Sequence, residues 1–429
     1  MPDRRSFIED ACLGTAAATL FSWAEETDSL RTVPTIEALR AEPLREGDVV
    51  FVAGYHRPGD GGGGLFYGDE DAACQRSGMA ILPEDGGGKG RWIRWQSSEE
   101  YDIRAFGAHP DQEDNASAIQ ACLDTAADSG GTVRVPAGEY QVSRPLVMAP
   151  NVSVQGEGMN SVIQKTTHAS GPSLRRALPN REAVDEYNVD CILAVDRPNA
   201  DVKYSHDIEI REIRLQGHAN RTGSVTERNS YGLYAPRLLR AQIDGVIIED
   251  VRAGFHFKGI IVSQINNCWA SRVETGFEIP DPGTGGGTSL TLTGCYASKV
   301  DRWGYYLRGL SYSTLVGCAC DNANQEGSGG GYFFGVCHGI TLSSCGCEAT
   351  VAPVLKVRHS EVVANGLKTF DIRGGVSQNA YVEAKNATLQ MAGCRLPDLR
   401  APGQTRNGRY EQGAEVTYVN GDRPSGGMS

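Results

Sequence analysis

The chain has 429 residues and a formal net charge of −12, with 41 basic against 53 acidic side chains. No Lys/Arg-rich run stands out, which argues against nucleic acid as a partner. No run of about 20 uninterrupted apolar residues is present, which excludes a conventional membrane-spanning helix. Glycine supplies 53 residues, so the composition favours many short strands joined by tight turns.

The N-terminus predicts export. Arg4 and Arg5 precede Ser6, and a run of small apolar residues extends from Ala11 to Phe21. This order is typical of a twin-arginine signal. We therefore expect residues 1–29 to be an export signal and linker, which would place the protein in the periplasm or outside the cell. The alternative is a plain N-terminal arm.

The next segment is rich in glycine and short apolar runs. It contains Gly47–Tyr55, Pro58–Tyr67 and the sequence Arg91–Trp95. The first two stretches resemble the segment that precedes the β-helix in phage-tailspike-like and related bacterial proteins. The resemblance implies a small β module at residues 30–100.

Residues 114–128 form the one convincing amphipathic helix of the sequence. Asp114 and Asn115 open it, and Gly130 and Gly131 close it, as expected for helix boundaries. We expect this helix to cover the open N-terminal end of a stack of strands, where it would shield the apolar core and block unwanted strand pairing.

A repeat follows, in which an apolar residue precedes a cysteine by three positions. It recurs at intervals of about 25 residues, which fits one coil of a β-solenoid. The copies with cysteine are Ile265–Cys268, Leu292–Cys295, Leu315–Cys318, Leu342–Cys345 and Met391–Cys394; the copies without it are Ile210–Ile213, Ile243–Val246 and a degenerate Ile372–Gly375. Both ends of each copy are predicted to face the interior, across a bend that favours Gly and Asn.

A second strand follows each copy of the repeat. Examples are Gly254–Phe257, Gly276–Ile279 and Gly304–Leu307. Two strands per coil predict an all-β fold, a right-handed parallel β-helix over residues 101–396, with residues 397–429 as a C-terminal cap or flexible tail. The repeated cysteines are then interior fillers, and neither a redox role nor a zinc site is expected.

The opening of the predicted solenoid, about Tyr101 to Gln164, contains Ala118-Ile119-Gln120 in the helix and the strand–turn–strand Val135-Pro136-Ala137-Gly138-Glu139-Tyr140. This run resembles the pectate-lyase-like superfamily of β-helix proteins. The resemblance continues to about residue 396 through the repeat pattern. The calcium-binding carboxylates and catalytic Asp pairs of that family match no motif here, so no residue role is carried over.

A filled solenoid must bind a long ligand on its outside, where side chains of successive coils form columns. Three positions after each repeat lies the column Glu249, Ser271, Ser298, Asp321 and Glu348. Asp321 and Glu348 fall on adjacent coils, a spacing suited to two-carboxylate glycoside chemistry. The longer loop after Asp321 adds Glu326. These three residues are the candidate catalytic centre; the alternative is an ordinary solvated face.

The second strand supplies a candidate substrate-binding set. The predicted outward residues are His256, Lys258, Glu278, Tyr306 and Arg308. Aromatic rings stack on sugars and Arg pairs with carboxylates, so this set suits acidic sugars. Here too the alternative is a solvated surface.

The leading hypothesis is an exported carbohydrate-active enzyme that cleaves an acidic, uronate-containing polysaccharide in a groove along the helix, by lyase or glycoside hydrolase chemistry. The alternatives are a non-catalytic tailspike-like or cell-surface glycan-binding protein and a sugar epimerase, which shares the proton abstraction of a lyase. No cofactor or metal site is identified from the residues; Ca²⁺ is considered only for the lyase case. The resemblance to tailspikes implies a homotrimer.

Overall fold

The computed structural model describes residues 30–73, 78–84, 89–166, 190–195, 204–218, 230–280, 286–325, 327–373, 381–396, 408–411 and 413–419. The predicted export signal and Glu326 lie outside these ranges. Two compact units are present: one runs to Ser98 and includes Arg104–Gly107, and the other comprises Glu99–Ile103 and the chain from Ala108 onward. No helix within the described ranges is long and apolar enough to cross a membrane.

The first unit is a five-stranded sheet with one short helix. The sheet order is β1-β2-β3-β5-β4, and only the β1–β2 pair is parallel. Its elements are β1 (Arg31–Val33), α1 (Ile36–Ala41), β2 (Val49–Val52), β3 (Gly64–Asp69), β4 (Ala80–Ile81) and β5 (Arg91–Arg94). Leu39 of α1 is buried with Val50, Phe66 and Trp92 of the sheet, so the unit has an apolar core of its own.

The second unit is a parallel β-helix, as predicted, whose strands form three parallel ladders. Ladder 1 carries the apolar residues of the repeat. In order it contains β6 (Glu100–Asp102), β7 (Thr132–Arg134), β10 (Ser153–Gln155), β14 (Glu209–Arg211), β18 (Gln242–Asp244), β21 (Ile260–Asn266), β23 (Gly287–Thr293), β26 (Thr314–Val316), β29 (Ile340–Ser343), β32 (Glu361–Asn365), β35 (Thr388–Ala392) and β37 (Glu415–Val419). The short strands β13 (Ser205–His206), β17 (Leu238–Leu239) and β25 (Leu310–Ser311) extend it sideways.

Ladder 2 follows the bend after each repeat. It contains β8 (Gly138–Val142), β11 (Ser161–Lys165), β15 (Arg214–Gln216), β19 (Ile247–Glu249), β22 (Trp269–Ile279), β24 (Tyr296–Arg308), β27 (Ala319–Ala323), β30 (Gly346–Glu348) and β33 (Lys368–Phe370). All of its pairings are parallel and in register from coil to coil. Outward side chains of this ladder therefore form straight columns.

Ladder 3 is the predicted second strand. It contains β9 (Leu146–Met148), β12 (Cys191–Val195), β16 (Tyr231–Ala235), β20 (Ala253–Phe257), β28 (Gly330–Gly335), β31 (Leu355–Arg358), β34 (Val382–Lys385) and β36 (Gly408–Tyr410). The long strands β22 and β24 belong to ladder 2 with their first halves and to ladder 3 with their second halves. Two 3-10 helices, Ile103–Phe106 and Gly158–Asn160, lie between strands.

The predicted amphipathic helix is α2 (Ala116–Ser129), and it ends at Gly130 with a φ of 78°. The side chain of Gln120 on α2 forms hydrogen bonds with the backbone of β9, the first strand of ladder 3. Its amide accepts the N–H of Val147 at 2.9 Å and donates to the carbonyl of Val147 at 2.8 Å. The side chain thus takes the place of a neighbouring strand, which explains how a helix can cover the open end of the stack.

The interior stack follows the repeat. Leu292, Leu315 and Leu342 lie directly over one another in ladder 1 and are buried. The residue before the last position of each copy of the repeat has a φ between 50° and 68°; these residues are Glu212, Gly245, Asn267, Gly294, Gly317, Ser344, Gly366 and Gly393. Gly and Asn adopt this left-handed conformation at little cost, which accounts for their presence in the bend.

The repeated cysteines are buried free thiols, as expected for interior fillers. Each donates to a carbonyl of the preceding coil; for example, Cys295 Sγ lies 3.2 Å from Ile265 O and Cys318 Sγ lies 3.4 Å from Leu292 O. Hydrogen bonding to the Cys295 thiol, together with burial, raises the pKa of Cys318 to about 12. These thiols are protonated and unreactive at neutral pH.

Two boundaries of the solenoid differ from the prediction. The degenerate copy at Ile372–Gly375 is wrong: the true copy is Ala364–Leu367, since Ala364 pairs with Leu342 and Met391 in the interior stack. The predicted end at residue 396 is also wrong. Strands β36 and β37 pair with β34 and β35, so part of the predicted tail adds another coil.

Glycines allow ladders 2 and 3 to approach closely. Gly254, Gly276, Gly304 and Gly331 face small interior residues of ladder 2. A Cβ on Gly304 would lie 2.8 Å from Cβ of Cys320, and one on Gly331 would lie 2.5 Å from Sγ of Cys347. Glycine recurs before the aromatic residue of the second strand because a side chain at this position would clash with the interior residues of ladder 2.

Candidate functional site

The predicted column on ladder 2 is present. Glu249, Ser271, Ser298, Asp321 and Glu348 pair directly in sequence along the ladder. We call these five residues the carboxylate column. Because these residues are direct partners on adjacent strands, successive positions of the column are about 4.8 Å apart, the spacing of neighbouring strands.

The N-terminal end of the carboxylate column is neutralised. Glu249 is paired with Arg214 and with Arg272, whose Nη1 lies 3.0 Å from Oε1 of Glu249. Arg272 also binds Asp250 through two hydrogen bonds, at 2.7 and 2.8 Å. This network links three coils and occupies its carboxylates, which indicates a structural role.

Asp321 and Glu348 differ from Glu249. They lie directly opposite each other on β27 and β30, and within the described residues neither forms an ion pair. Asp321 is half-buried and accepts a hydrogen bond from the Asn322 amide at 3.0 Å, whereas Glu348 is exposed. The structure therefore brings together two of the three predicted catalytic carboxylates, and the third, Glu326, is outside the described ranges.

A second column of ladder 2 lies two residues earlier on each strand. It consists of Trp269, Tyr296, Ala319, Gly346 and Lys368. The rings of Trp269 and Tyr296 meet edge to face, with centroids 5.9 Å apart, and the indole N–H donates to Ser298 at 3.0 Å. Ala319 and Gly346 carry almost no side chain, so the surface beside Asp321 and Glu348 is open.

Tyr296 connects the aromatic pair to the carboxylates. Partial burial raises the pKa of Tyr296, and the nearby charges of Asp321 and Glu348 raise it further. The phenol consequently keeps its proton and can donate it to a ligand oxygen. Sequence reasoning missed Trp269 and Tyr296, although each directly follows a repeat cysteine and shares the outward side of its strand with the carboxylate column.

Phe370 closes this surface at the C-terminal end. It pairs with Glu348 in register and is 62% exposed. Trp269, at the other end, is 39% exposed. The face of ladder 2 thus has exposed aromatic rings on both sides of the two unpaired carboxylates.

The predicted substrate-binding set lies on ladder 3, apart from the carboxylate column. His256, Glu278 and Tyr306 stack in register, followed by Phe333 and Lys356. They point outward, but they are engaged with one another. His256 is only 4% exposed, so its side chain is buried at this position.

His256 belongs to a closed polar cluster. Its Nδ1 lies 2.6 Å from Glu278, and Arg252 donates to the same carboxylate at 2.9 Å. The ring centroid of Tyr231 lies 4.2 Å from that of His256. The ring of Tyr234 is stacked with the His256 ring, with centroids 5.4 Å apart. Burial lowers the pKa of His256 despite the contact with Glu278.

The remaining members of that set also interact with other residues of the chain. Tyr306 stacks on Phe333, with ring centroids 4.7 Å apart. Arg308 donates to the carbonyl of Pro280 at 3.1 Å. Lys258 is half-buried. A substrate-binding role for these residues stays a prediction.

No group of three or more His, Cys, Asp or Glu side chains converges to hold a metal within the described ranges. Calcium normally takes six to eight oxygen ligands, and the Asp321–Glu348 pair supplies only two carboxylates. Within the described ranges, these residues therefore do not fit the calcium site considered for a lyase.

Two family models match the chain. Residues 32–98 match the phage tail protein small four-stranded beta-sheet domain. Residues 101–296 match the rhamnogalacturonase A/epimerase, pectate lyase-like family. The solenoid over residues 101–296 is therefore similar to pectate-lyase-like β-helices. Both parts of the resemblance drawn from the sequence are thereby confirmed.

Curated relatives of the chain include enzymes from Azotobacter vinelandii. Alginate lyase 7 is 40% identical and the mannuronan C5-epimerase AlgE2 is 43% identical, each over 75 residues. The matches cover 15% of this chain and 9% and 8% of those enzymes. The chain therefore matches less than a tenth of their length.

Solved structures share the fold over nearly the whole chain. The gp42 tailspike of Acinetobacter phage vb_AbaP_AS12 has a TM-score of 0.74 at 18% identity, covering 92% of this chain and 75% of that one. The enzymatically active domain of tailspike protein 2 from bacteriophage CBA120 has a TM-score of 0.65 at 16% identity, covering 94% and 59%. These likenesses show the tailspike-like parallel β-helix.

Proposed function

We propose that this protein is an exported enzyme that cleaves an acidic, uronate-containing polysaccharide at Asp321 and Glu348. The observation that supports this most is the pairing of these two carboxylates on adjacent strands without any cation partner in the described part of the chain. Carboxylates that serve the fold, such as Glu249, are neutralised here. A solenoid has no structural need for an unpaired acidic pair beside exposed aromatic rings.

The spacing favours glycoside hydrolysis with a covalent intermediate. Paired strands of adjacent coils are about 4.8 Å apart, so the backbone spacing of Asp321 and Glu348 is close to the carboxyl separation of about 5 to 5.5 Å in retaining glycosidases. Asp321, whose orientation is fixed by Asn322, would act as the nucleophile. Glu348, exposed on the next coil, would protonate the leaving oxygen and then activate water.

The surroundings support an acidic ligand. Lys299 and Lys368 are exposed and form no ion pair within the described residues. Lys299 directly follows Ser298, which pairs with Asp321, and Lys368 precedes Phe370, which pairs with Glu348, by two positions. One lysine therefore lies on the coil at each side of the carboxylate pair. They can neutralise uronate groups that would otherwise be repelled by Asp321 and Glu348.

Uronate lyase or epimerase chemistry is the second candidate. It is favoured by the names of the curated relatives, an alginate lyase and mannuronan C5-epimerases, together with the protonated Tyr296 phenol beside the carboxylates. In that reaction a carboxylate would remove the proton next to the uronate carboxyl group and Tyr296 would donate one. Non-catalytic glycan binding, with a homotrimeric tailspike-like assembly, is the remaining alternative.

One assay separates these functions. The protein is incubated with alginate, polygalacturonate, hyaluronan, bacterial capsular polysaccharides and neutral dextran. Ultraviolet absorbance of unsaturated uronates identifies a lyase, new reducing ends without unsaturation identify a hydrolase, and an altered uronate ratio by NMR identifies an epimerase. Asp321→Asn and Glu348→Gln should abolish the activity, whereas Glu361→Gln, an exposed carboxylate on ladder 1, should retain it. Full activity in both site variants would contradict the proposal.

A further inference from the structure

Two exposed aromatic rings stand at the ends of the face that holds Asp321 and Glu348. Trp269 lies on β22 and Phe370 on β33, and the path between them runs through β24, β27 and β30. Four coil steps correspond to about 19 Å along the helix axis. Asp321 and Glu348 lie in the interior of that interval.

The fold does not require these rings at the surface. The stack of Phe255, Phe277, Tyr305 and Tyr332 faces inward, with neighbouring ring centroids 4.7 to 4.9 Å apart, so the interior can hold aromatic rings. Aromatic residues are enriched at binding interfaces, and these two rings share their face with Asp321 and Glu348. Sugar rings use such surfaces because their C–H faces stack on aromatic rings.

The surface between the two rings is kept low by Ala319 and Gly346. Gly346 has no positive φ, and a Cβ at this position would meet only the carbonyl oxygen of Lys368, at 3.5 Å. Neither backbone conformation nor packing therefore demands glycine here. The bare backbone leaves space for a ligand that passes over β27 and β30.

We propose that Trp269 and Phe370 are the end subsites of a strip that binds a glycan parallel to the helix axis, over Ala319 and Gly346. This deepens the proposed function and rests on it, since the same face is used. The strip accommodates about four pyranose units, each comparable in length to one coil step. The enzyme is thus specific for internal segments of a chain and binds disaccharides poorly.

Binding, measured apart from cleavage, tests the strip. Asp321→Asn serves as the parent, and affinity electrophoresis with the polysaccharide panel above selects the retained polymer. Its size-graded oligosaccharides, from disaccharide to hexasaccharide, are then titrated by calorimetry. We expect affinity to rise up to about the tetrasaccharide and to level off beyond it, because longer chains extend past the last ring.

Three variants on the parent should weaken tetrasaccharide binding about tenfold or more, the size expected for an interface anchor. Trp269→Ala and Phe370→Ala each remove one end, and Gly346→Val fills the floor. Ala392→Val, a matched small-to-large change on ladder 1, should bind like the parent. Unchanged affinity in the three variants, or retention of none of the polymers, overturns the strip.

The outcome also distinguishes the strip from the catalytic proposal. Weakened binding in Trp269→Ala and Phe370→Ala, with full cleavage in Asp321→Asn and Glu348→Gln, would keep the strip and reject the catalytic pair. Loss of cleavage in the carboxylate variants, with binding that is insensitive to the ring variants, would do the reverse.

Discussion

Glu249 and Glu348 occupy the same column of ladder 2, four coil steps apart, but of the two only Glu249 forms ion pairs within the described part of the chain. Arg214 and Arg272 hold Glu249, whereas Glu348 is exposed and has no ion pair among the described residues. The two glutamates therefore have equivalent positions in the column, and the residues on the neighbouring coils determine whether the carboxylate is neutralised.

This contrast predicts opposite outcomes for two equivalent substitutions. Glu249→Gln should lower the free energy of unfolding by about 1–3 kcal/mol, because it removes the charged partner of the partly buried Arg214 and one of the two carboxylates that bind Arg272. Glu348→Gln should change it by less than about 0.5 kcal/mol. Cleavage should behave in the reverse way, with a loss of about 10² to 10⁴ in kcat for Glu348→Gln alone. Thermal unfolding and the polysaccharide assay measure the two effects; a stable, active Glu249→Gln together with an active Glu348→Gln would refute the distinction.

The His256–Glu278 pair predicts acid sensitivity of the fold. Burial holds the pKa of His256 below its usual 6.5, so unfolding is accompanied by proton uptake once the pH falls below that value. Although burial alone would raise it, the His256 hydrogen bond and the Arg252 charge hold the pKa of Glu278 below its usual 4.5. Both groups therefore stabilise the folded state above their unfolded pKa values, and this stability is lost as the pH falls toward the folded ones.

The measurement is the melting temperature as a function of pH. The native protein should lose stability from pH 6.5 downward, and His256→Gln, which cannot titrate, should show a flatter decline between about pH 6.5 and 5. His338→Gln is the control, because His338 is exposed. Parallel curves for the native protein and His256→Gln would show that the pair does not contribute.

The buried cysteines should be chemically silent in the folded protein. Burial and thiol–thiol hydrogen bonds raise the pKa of Cys295 and Cys318, and only the thiolate reacts with alkylating agents. Peptide mass spectrometry after iodoacetamide treatment should find these two residues unmodified without denaturant and fully modified in guanidinium. Modification under native conditions would mean that the interior opens at these coils.

Gly304 and Gly317 should respond differently to substitution. Gly304→Ala places a methyl group 2.8 Å from Cβ of Cys320, so it should lower the free energy of unfolding by about 1–3 kcal/mol through overpacking. Gly317 has a φ of 60° and no atom within 4 Å of its Cβ position. Gly317→Asn should be nearly neutral, because Asn267 already occupies the equivalent position with a φ of 51°. Chemical denaturation compares the two variants, and equal losses would contradict the packing argument.

The solenoid could be predicted from the sequence because its determinants are local. Each coil needs an inward apolar residue such as Leu315, a left-handed bend residue such as Gly317 and a small inward residue such as Cys318, all within four positions. The incorrect copy at Ile372 shows the limit of this reasoning, since an apolar residue followed by two glycines satisfies the same local pattern. Ala364 and Leu367 form the true copy, which parallel pairing with the neighbouring coils selects.

The alignment of Asp321 with Glu348 also followed from the sequence, because strand register carries a regular repeat forward. The surroundings of each side chain were decided by the tertiary structure alone. The burial of His256 depends on Tyr231 and Glu278, and the neutralisation of Glu249 depends on Arg214, each on another coil. Coil lengths vary with the loops, so which charges meet across coils is determined only when the whole stack is assembled. Phe370 became recognisable as a neighbour of the carboxylates only in the folded chain, because pairing between coils identifies its copy of the repeat, Ala364–Leu367.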